Sequence, residues 1–333
     1  MKVTIKDIAR LSGFSTATVS KVINGKDENI TKETREKVLR IAQEHNYVPN
    51  TIARSMVTKK TRTIGLIIPD IVNPFFPEVA RGAEDMASKM GYNLILCNTD
   101  NDQKKEEKYI NMLEEKMVDG IIFTASSKGF TDLERLKRLK VPVIFVDRDV
   151  ECDDILGKIT VNNELGAYEG VSHMIHKGMK KIIHITGSLS NKPADDRLQG
   201  YKKALMKNKI EYSPDNVFEG DFTVGWGYKA VEKAFERGIN FDGVFCGNDL
   251  IAIGVIKALK KKGISVPQQC GVVGFDDIEI SAMMVPSLTT VSQPKYDMGN
   301  ITAKVLIDII EGKEKSKNID IVLESYLIER ETT

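Results

Sequence analysis

The sequence predicts a small all-α head followed by an α/β body made of two doubly wound, parallel-sheet lobes. Three observations lead to this fold class. The first 60 residues hold short amphipathic helical patterns separated by turn signals. From Thr63 onward, short apolar runs alternate with longer helical patterns, which is typical of parallel sheets covered by helices on both faces. Roughly 270 residues of this alternation are too many for one sheet, so we expect two similar lobes.

The charge of the chain is divided unevenly. Residues 1–60 carry 12 Lys and Arg against 6 Asp and Glu, whereas the remainder carries 36 against 41. A basic head on an acidic body favours a polyanionic partner for the head alone. The charged N-terminus does not have the pattern of a signal peptide, and no apolar run approaches the ~20 residues that span a bilayer. We therefore expect a cytoplasmic protein without a membrane partner.

The four cysteines are expected to be free thiols, three of them within or beside apolar strand-like runs. They lie far apart and form no C-x-x-C pattern, which disfavours both a disulfide and a metal site. They are Cys97, Cys152, Cys246 and Cys270.

The head begins with two short helical patterns. Thr4 and Asp7 have the spacing of an N-terminal cap, Gly13 marks a tight turn, and Ser15 caps the second helix. The small Ala9, this glycine and Val19 have the spacing of a helix-turn-helix, with a helical hairpin of another kind as the alternative. The side chains expected to face inward are Ile5, Ile8, Ala9, Leu11, Val19, Val22 and Ile23.

The outward face of the second helix is the predicted DNA-reading surface. Residues at the start of a recognition helix reach base edges in the major groove, and here these are Thr16, Ala17 and Lys21. We expect Thr18 and Ser20 to contact phosphates instead.

A third helical pattern and a short segment complete the head. "ITKETREKVLRIAQEHNYVPN" predicts an amphipathic helix that ends at Tyr47-Val48-Pro49. Residues 49–61, here called the hinge, contain a pattern of two helical turns capped by Asn50, too short to be stable alone. A flexible linker is the alternative. In the third helix, the side chains expected to face inward are Val38, Leu39, Ile41 and Ala42.

The body shows seven apolar runs typical of strands: "TIGLIIP", "YNLILCN", "VDGIIFT", "VPVIFVD", "KIIHITG", "FDGVFCGND" and "CGVVGFDD". The loops that follow parallel strands meet at one edge of a sheet, and between two lobes these loops face each other around a ligand. The helical patterns between the runs cover residues 76–90, 103–117, 162–177, 195–208, 224–237 and 249–262.

Phe75 and Phe76 form an unusual pair in this pattern. They follow Asn73-Pro74, a strong turn signal, so we expect them at a loop tip, where their burial requires another molecule. A second aromatic side chain, Phe222, also lies in a loop after a strand.

Polar side chains collect at the same strand ends, namely Asp70, Asn73, Asp147, Arg148, Asn248, Asp249, Asp276 and Asp277. Helix caps and turns are the alternative explanation, and we assign Asp249 and Asp277 to it. Arg197 lies near a predicted helix start, where caps are normally acidic. Aromatic rings suit the apolar faces of a carbohydrate, and carboxylates, amides and guanidinium groups suit its hydroxyls. We expect a sugar between Phe222 and the Phe75–Phe76 pair.

The head and hinge resemble those of the lactose-repressor (LacI/GalR) family, through "TIKDIARLSGFSTATVSKVING", "TREKV" and "YVPNTIARSM". In that family the hinge folds on the operator and a leucine wedges into the minor groove. Met56 occupies the matching position, and methionine also serves as a wedge. The residues expected to contact DNA are Thr4, Ser15, Thr16, Ala17, Thr18, Ser20, Lys21, Asn24, Tyr47, Asn50, Ala53 and Met56.

The body resembles the periplasmic sugar-binding fold, and its loops are similar to those of the ribose-binding protein. The resemblance implies a head at 1–48, a hinge at 49–61 and a body at 62–333. We expect lobe one at about 62–160 plus 292–320, and lobe two at about 161–291 plus 321–333. The matching effector-binding positions are Asn73, Phe75, Phe76, Asp147, Arg148, Arg197, Phe222, Asn248, Asp276 and Gln293.

These observations predict a homodimeric repressor of a carbohydrate-utilisation operon that binds a near-palindromic operator. Its effector is a small sugar, with ribose as first choice and another pentose or hexose as the alternative. A corepressor that strengthens DNA binding, including a phosphorylated carrier protein, stays open. No cofactor is expected.

Enzyme patterns are weaker. "GWGYKA" at 225–230 mimics a dinucleotide-binding turn, but no buried strand precedes it, so we expect a helix start. His173 and His176 are spaced to share a metal, yet no further ligand cluster accompanies them, and we expect surface histidines. A cytosolic sugar-converting enzyme is the rival class, and it leaves the basic head unexplained.

Overall fold

The computed structural model divides the chain into two compact units, Met1–Thr61 and Arg62–Thr333. Three of the predicted DNA-contacting residues, Asn50, Ala53 and Met56, lie outside the described part of the chain, as does Cys152. The described residues are 3–48, 60–125, 136, 139–148, 156–314, 316 and 318–333.

The head contains three helices, α1 (Ile5–Ser12), α2 (Thr16–Ile23) and α3 (Lys32–Glu44). The predicted caps are confirmed. The Thr4 hydroxyl accepts a hydrogen bond from the Asp7 amide in a capping box, and the Ser15 hydroxyl accepts one from the Thr18 amide. Gly13 ends α1 with φ +75°, a backbone conformation that glycine adopts without a steric cost. The turn between α1 and α2 is therefore fixed by local chemistry.

One narrow apolar stripe on each helix forms the core of the head. Ile8, Val19 and Val38 are fully buried at its centre. The prediction that Leu11 and Leu39 also face inward is wrong, because they are 45% and 41% exposed. Successive residues of a helix are rotated by about 100°, which places Leu11 and Leu39 outside the buried stripe of their helices. The core of three short helices buries only one narrow stripe on each helix.

The described residues of the body form two six-stranded sheets. The strands are β1 (Thr63–Ile68), β2 (Asn93–Asn98), β3 (Gly120–Phe123), β4 (Val143–Val146), β5 (Gly157–Val161), β6 (Ile182–Thr186), β7 (Val217–Glu219), β8 (Gly243–Cys246), β9 (Gly271–Asp276), β10 (Thr289–Ser292), β11 (Ile319–Leu323) and β12 (Tyr326–Ile328). The strand orders are β11-β5-β4-β3-β1-β2 and β12-β10-β9-β8-β6-β7. Neighbouring strands are parallel except β12, which pairs with β10 in the antiparallel direction.

Eight described helices cover these sheets, besides a short 3-10 turn at Pro214–Asn216. The six predicted helical patterns all correspond to helices, with ends that differ by at most three residues. The helices are α4 (Phe75–Lys89), α5 (Gln103–Glu115), α6 (Asn163–His176), α7 (Lys192–Lys207), α8 (Val224–Glu236), α9 (Asp249–Lys261), α10 (Glu279–Met283) and α11 (Lys295–Ile310).

The chain passes between the two sheets three times. The crossings lie between β5 and α6, between β10 and α11, and between β11 and β12. We call the part built on the first sheet lobe one and the part built on the second sheet lobe two. The third crossing follows Leu323 rather than residue 320, because β11 pairs with β5 as the edge strand of the first sheet. The first and third crossings are in contact, because the Asn162 amide donates a hydrogen bond to the Leu323 carbonyl (3.2 Å).

Helix α11 belongs to lobe one and packs closely on α4. A Cβ atom at Gly82 would lie 2.0 Å from the Tyr296 carbonyl oxygen, and one at Gly299 would lie 1.8 Å from that of Val79. These distances leave no room for a side chain, so glycine at both positions lets the two backbones touch. Helices α4 and α11 therefore behave as one unit on the face of the first sheet.

The described cysteines, Cys97, Cys246 and Cys270, are buried free thiols as predicted. Burial raises the pKa of the Cys270 thiol to about 12 and that of Cys97 to about 11, so both stay protonated at neutral pH. Among the described helices, none is long and apolar enough to cross a bilayer.

Candidate functional site

A cleft of about 300 Å³ lies between the carboxyl ends of the two sheets. It brings together the ten residues predicted from the loops and adds two that the sequence did not single out, Asn191 and Pro193. Lobe one contributes Asn73, Phe75, Phe76, Asp147 and Arg148; the other lining residues, Arg197, Phe222, Asn248, Asp276, Gln293, Asn191 and Pro193, come from lobe two and the second crossing.

The aromatic pair starts a helix. The prediction of a loop tip is wrong, because α4 begins at Phe75 itself. Asn73 causes this start, since its Oδ1 accepts a hydrogen bond from the Phe75 amide (3.2 Å) and its carbonyl one from the Phe76 amide (3.2 Å). Both rings are only 3% exposed and belong to the core of lobe one. The protein itself therefore covers most of each ring, and the remaining surface lines the cleft.

Arg148 is fixed beside this pair. Its Nη1 donates to the Ala125 carbonyl (3.1 Å) and to Asn101 Oδ1 (3.2 Å). Its Nε lies 3.7 Å from Asp147 Oδ2, and its guanidinium stands 5.6 Å from the centre of the Phe76 ring. Burial lowers the pKa of Arg148, but an arginine keeps its charge in proteins. Lobe one thus presents a fixed cation over an aromatic ring.

Arg197 is the corresponding cation of lobe two, on the second turn of α7. Its Nε donates to Asn163 Oδ1 (2.8 Å) and its Nη1 to the Gly247 carbonyl (2.6 Å). The guanidinium carbon lies 3.8 Å from the centre of the Phe275 ring. Nη2 remains 3.7 Å from Asp276 Oδ1, longer than a hydrogen bond. One edge of this guanidinium therefore faces the cleft and the carboxylate.

Asp276 ends β9 with φ +105°, an uncommon conformation for a residue other than glycine. Its Oδ1 accepts a hydrogen bond from Gln293 Nε2 (2.7 Å). Burial raises the pKa of Asp276 to about 7, although Arg197 opposes this shift. A buried carboxylate with so few donors gains from further hydroxyl donors, which a ligand in the cleft can supply.

Three buried polar atoms around the cleft have no hydrogen-bond partner among the described residues. They are Asn191 Oδ1, Asn248 Nδ2 and Gln293 Oε1. An unsatisfied buried polar group costs about 1–3 kcal/mol, so such atoms at a cleft indicate that a polar ligand or water fits there. Two acceptors and one donor suit a molecule whose groups both donate and accept.

For Asn248, which was predicted to bind the effector, the alternative explanation of a helix cap also applies, and the residue lines the cleft as well. Its Oδ1 caps α9 by accepting from the Ile251 amide (2.9 Å), and this bond directs the amide nitrogen toward the cleft. Asp249 is structural, as predicted, because it accepts hydrogen bonds from Ser281 Oγ (2.6 Å), Thr290 Oγ1 (2.5 Å) and the Ile278 amide (2.9 Å).

Asp277 and Asp70 also have local partners. Asp277 Oδ1 accepts from Arg330 Nη2 (2.7 Å), which agrees with its predicted structural role. Asp70 Oδ1 accepts from the Val72 amide (2.8 Å) within a turn.

Phe222 packs over a glycine on the lobe-two side of the cleft. A Cβ atom at Gly187 would lie 2.2 Å from the Phe222 ring, so the ring occupies the space that a side chain would take. The neighbouring Trp226 donates from Nε1 to the Thr186 carbonyl (3.0 Å). The loop after β7 is thereby held against the end of β6.

Asn191 and Pro193 were missed because the sequence argument followed Arg197 alone. A signal was available: Asn191 is at the N-cap of α7, and Pro193 lies in its first turn. A helix start after β6 must lie at the same sheet edge as the other candidates.

In the head, the predicted DNA-reading face is exposed. Thr16, Ala17 and Lys21 are exposed on α2, whereas Thr18 and Ser20 are half-buried. The other described candidates have partners in the free chain. Thr4 and Ser15 cap helices, the Asn24 side chain donates to the Ser20 carbonyl (2.7 Å), and Tyr47 packs against the head core.

The enzyme patterns have structural explanations. Residues 225–230 lie in α8, whose N-cap Thr223 accepts a hydrogen bond from the Trp226 amide. His173 is half-buried and lies 2.8 Å from the Thr333 hydroxyl, and His176 is exposed. Among the described residues there is no cluster that could hold a metal ion.

A helix-turn-helix unit and a two-lobed body with a polar cleft define a DNA-binding protein controlled by a small ligand. Family models agree with each part. Residues 4–50 match "Bacterial regulatory proteins, lacI family", and residues 61–331 match "Periplasmic binding proteins and sugar binding domain of LacI family".

Individual proteins extend this likeness over the whole chain. A ribose operon repressor from Halalkalibacterium halodurans is 38% identical, with 99% of this chain and 97% of the relative covered. The lac repressor dimer bound to operator and the anti-inducer ONPF has a TM-score of 0.86 at 26% identity, over 100% of this chain and 99% of that one. A LacI regulator from Alkaliphilus metalliredigens QYMF complexed with D-xylulofuranose has a TM-score of 0.73 at 34% identity, over 82% and 99%.

The chain therefore belongs to the LacI family. It is a DNA-binding transcriptional repressor and not an enzyme.

Proposed function

We propose that this repressor controls a carbohydrate-utilisation operon and that its effector is a small sugar, with ribose as first choice. The observation that carries the proposal is the set of lining residues. Aromatic rings, two arginines, two carboxylates and four amides converge on one cleft. Rings suit the apolar faces of a sugar, and the polar groups suit a rim of hydroxyls.

The unsatisfied polar atoms of the cleft favour a ligand with several hydroxyl groups. The three unpartnered atoms, Asn191 Oδ1, Asn248 Nδ2 and Gln293 Oε1, fit hydroxyl groups, each of which donates and accepts.

The relatives supply the choice of ribose. One is named a ribose operon repressor, and a solved relative holds another five-carbon sugar, D-xylulofuranose. The alternative effector is another pentose or a hexose. A corepressor that strengthens DNA binding, including a phosphorylated carrier protein, is the second alternative.

The decisive experiment titrates the purified full-length chain calorimetrically with ribose, arabinose, xylose, glucose and galactose. Ribose should bind more tightly than its 2- and 3-epimers, because a site built around hydroxyls rejects a misplaced one. Operator affinity is measured with and without each sugar. A chain that binds its operator but none of these sugars would show that the cleft serves another ligand.

For DNA, we propose a homodimer on a near-palindromic operator, in the cytoplasm where that DNA lies. The support is the exposed α2 face with Thr16, Ala17 and Lys21, together with the operator-bound dimer of a similar repressor. The proposed units are the head at 1–48, the hinge at 49–61 and the two-lobed body at 62–333, with Asn50 and Ala53 of the hinge among the DNA contacts.

Met56 is the proposed minor-groove wedge, because it occupies the wedge position of the family's hinge. Met56→Ala should weaken operator binding and reduce DNA bending in a gel-phasing assay, since an apolar wedge unstacks a base step. Its sugar affinity should stay unchanged. Equal DNA bending by wild type and Met56→Ala would contradict the assignment of Met56 as the wedge.

A further inference from the structure

Lys295 is a buried cation beside the cleft that does not line it. It is the first residue of α11 and follows the second crossing between the lobes. Only 5% of its surface is exposed. A buried ammonium group needs a partner for each of its donors, so its contacts show what it holds together.

The partners of Lys295 come from both lobes. Its Nζ donates to the carbonyl oxygens of Asp276 and Asp277, each at 2.7 Å, and both residues lie at the end of β9 in lobe two. The same Nζ is 3.5 Å from Glu78 Oε2 on the first turn of α4 in lobe one. Because α11 itself belongs to lobe one, the two carbonyl bonds cross between the lobes.

The two carbonyl groups that accept hydrogen bonds from Lys295 belong to a strained backbone segment. Asp276 has φ +105° and Asp277 has φ +55°, which residues other than glycine rarely adopt. Such conformations persist where the surroundings over-determine them. Here Lys295 holds both carbonyls, Arg330 holds the Asp277 carboxylate (2.7 Å), and Gln293 holds that of Asp276 (2.7 Å). The backbone bonds therefore set the direction in which the Asp276 carboxylate enters the cleft.

On the lobe-one side, the contact between Lys295 and Glu78 connects to the aromatic pair, Phe75 and Phe76. Glu78 follows Phe75 and Phe76 on the first turn of α4, and α4 touches the backbone of α11 at Gly82 and Gly299. A displacement of Lys295 relative to lobe two thus displaces the aromatic side of the cleft relative to Asp276.

We propose that Lys295 is an inter-lobe clamp: it favours the closed arrangement of the lobes and aims the Asp276 carboxylate at the ligand. It is a positioning residue, not a ligand contact. The ligand part of this inference rests on the proposed sugar effector, whereas the closure part does not.

Lys295→Met tests the clamp, because methionine keeps the apolar stem and removes the charge and all three donors. In the full-length protein, we expect ribose affinity to fall about tenfold, the scale of a typical coupling between sites. The sugar-free protein should also have a larger radius of gyration in X-ray scattering. Lys304→Met is the matched control, since Lys304 lies on the same helix, is exposed and pairs with Asp308 one turn further along it (2.9 Å).

The readouts separate positioning from plain stability. A purely structural lysine would lower the melting temperature but leave the sugar-free radius and the ribose affinity of the folded fraction unchanged, and that result would overturn the clamp. Should Lys295→Met not fold, Lys295→Gln is measured in its place, with the same expectation and the same contrary result. If the wild-type chain binds no sugar, the proposed effector fails, and the scattering comparison alone decides the clamp.

Discussion

The residues proposed to read DNA and those that line the cleft have opposite environments. Thr16, Ala17 and Lys21 are exposed on the head, and their proposed partners lie on another molecule. Arg197 and Asp276 are each 4% exposed and face one another within the body. The body has therefore already desolvated its binding residues, whereas the head has not.

This difference has an energetic consequence. Removing one member of a buried charge pair leaves the other without compensation, while removing an exposed side chain away from special features usually changes stability by less than about 0.5 kcal/mol. Variants in the cleft should therefore change both folding and ligand binding. Variants on the reading face of α2 should change operator binding alone.

Arg197→Met should have the largest effect. It leaves Asp276 buried beside Gln293 without the guanidinium 3.7 Å away, and it also leaves the Gly247 carbonyl and Asn163 without their donor. Breaking a buried pair in this way typically costs about 3–5 kcal/mol. We expect that loss in urea unfolding, together with a loss of at least ~2 kcal/mol in effector binding and an operator affinity that no longer responds to sugar.

The control is Arg81→Met. Arg81 pairs with Asp85 on the surface of α4 (3.0 Å) and its side chain is 69% exposed, so its replacement should alter neither quantity. Similar unfolding curves for the two variants would show that burial does not distinguish the cleft from the surface.

The pH dependence of stability gives the second test. Burial raises the pKa of Asp276 from 3.8 to about 7 in the folded chain. Between these values the folded chain holds a proton that the unfolded chain has released, so the free energy of unfolding falls as pH rises. Asp276→Asn cannot titrate and should remove roughly 2–4 kcal/mol of this change between pH 4 and 8, since one pKa unit corresponds to about 1.4 kcal/mol.

Urea unfolding of both proteins across this range measures the difference, and Asp320→Asn, at an exposed site on β11, is the control. Asp249, whose pKa burial raises to about 6, contributes with the same sign and remains in both proteins. Parallel stability profiles for wild type and Asp276→Asn would mean that Asp276 titrates normally.

The sequence predicted the cleft better than it predicted how the cleft is built. Loops that follow parallel strands meet at one edge of their sheet, and in two-lobed proteins these edges face each other. Topology therefore places Asp147 of one sheet opposite Asp276 of the other. The start of α4 at Phe75 depends on the Asn73 side chain, which the turn signal of Asn73-Pro74 concealed. The partners of Lys295 lie 217 residues upstream at Glu78 and on a strained turn, and no local pattern reports such contacts.

Short strands were the least predictable part of the fold. The sequence patterns marked neither the edge strands β7, β11 and β12 nor β5 and β10 inside the sheets. β7 is only three residues long, and the residues of β11 alternate between half-buried and exposed positions. These two strands are defined by their pairing with β6 and β5. In the head, caps at Thr4 and Ser15 were predictable because they are local, whereas the exposure of Leu11 and Leu39 depends on how three helices pack.

Lys21→Ala tests the head side of the comparison. Lys21 is exposed on α2, so its replacement should leave the unfolding curve unchanged. Loss of a base contact should weaken operator binding by about 1–3 kcal/mol, measured by fluorescence anisotropy at fixed salt. Lys26→Ala, at an exposed position beyond the end of α2, controls for general loss of positive charge. Equal operator affinity for Lys21→Ala and wild type would remove Lys21 from the reading surface.

Thr4→Ala should have the smallest effect. It tests whether an exposed head residue can affect stability as well as DNA binding. Thr4 is exposed and proposed to contact DNA, yet its hydroxyl caps α1 and also donates to Asp7 Oδ2 (2.7 Å). Losing a cap typically costs about 1 kcal/mol, so the amides of α1 should exchange about fivefold faster with solvent. Thr4→Ser keeps the hydroxyl and should exchange like wild type. If Thr4→Ala exchanges like wild type but binds operator more weakly, Thr4 contributes to DNA binding alone. If amide exchange and operator binding both change, Thr4 contributes to stability and to function. An exposed residue of the head would then resemble the buried residues of the cleft.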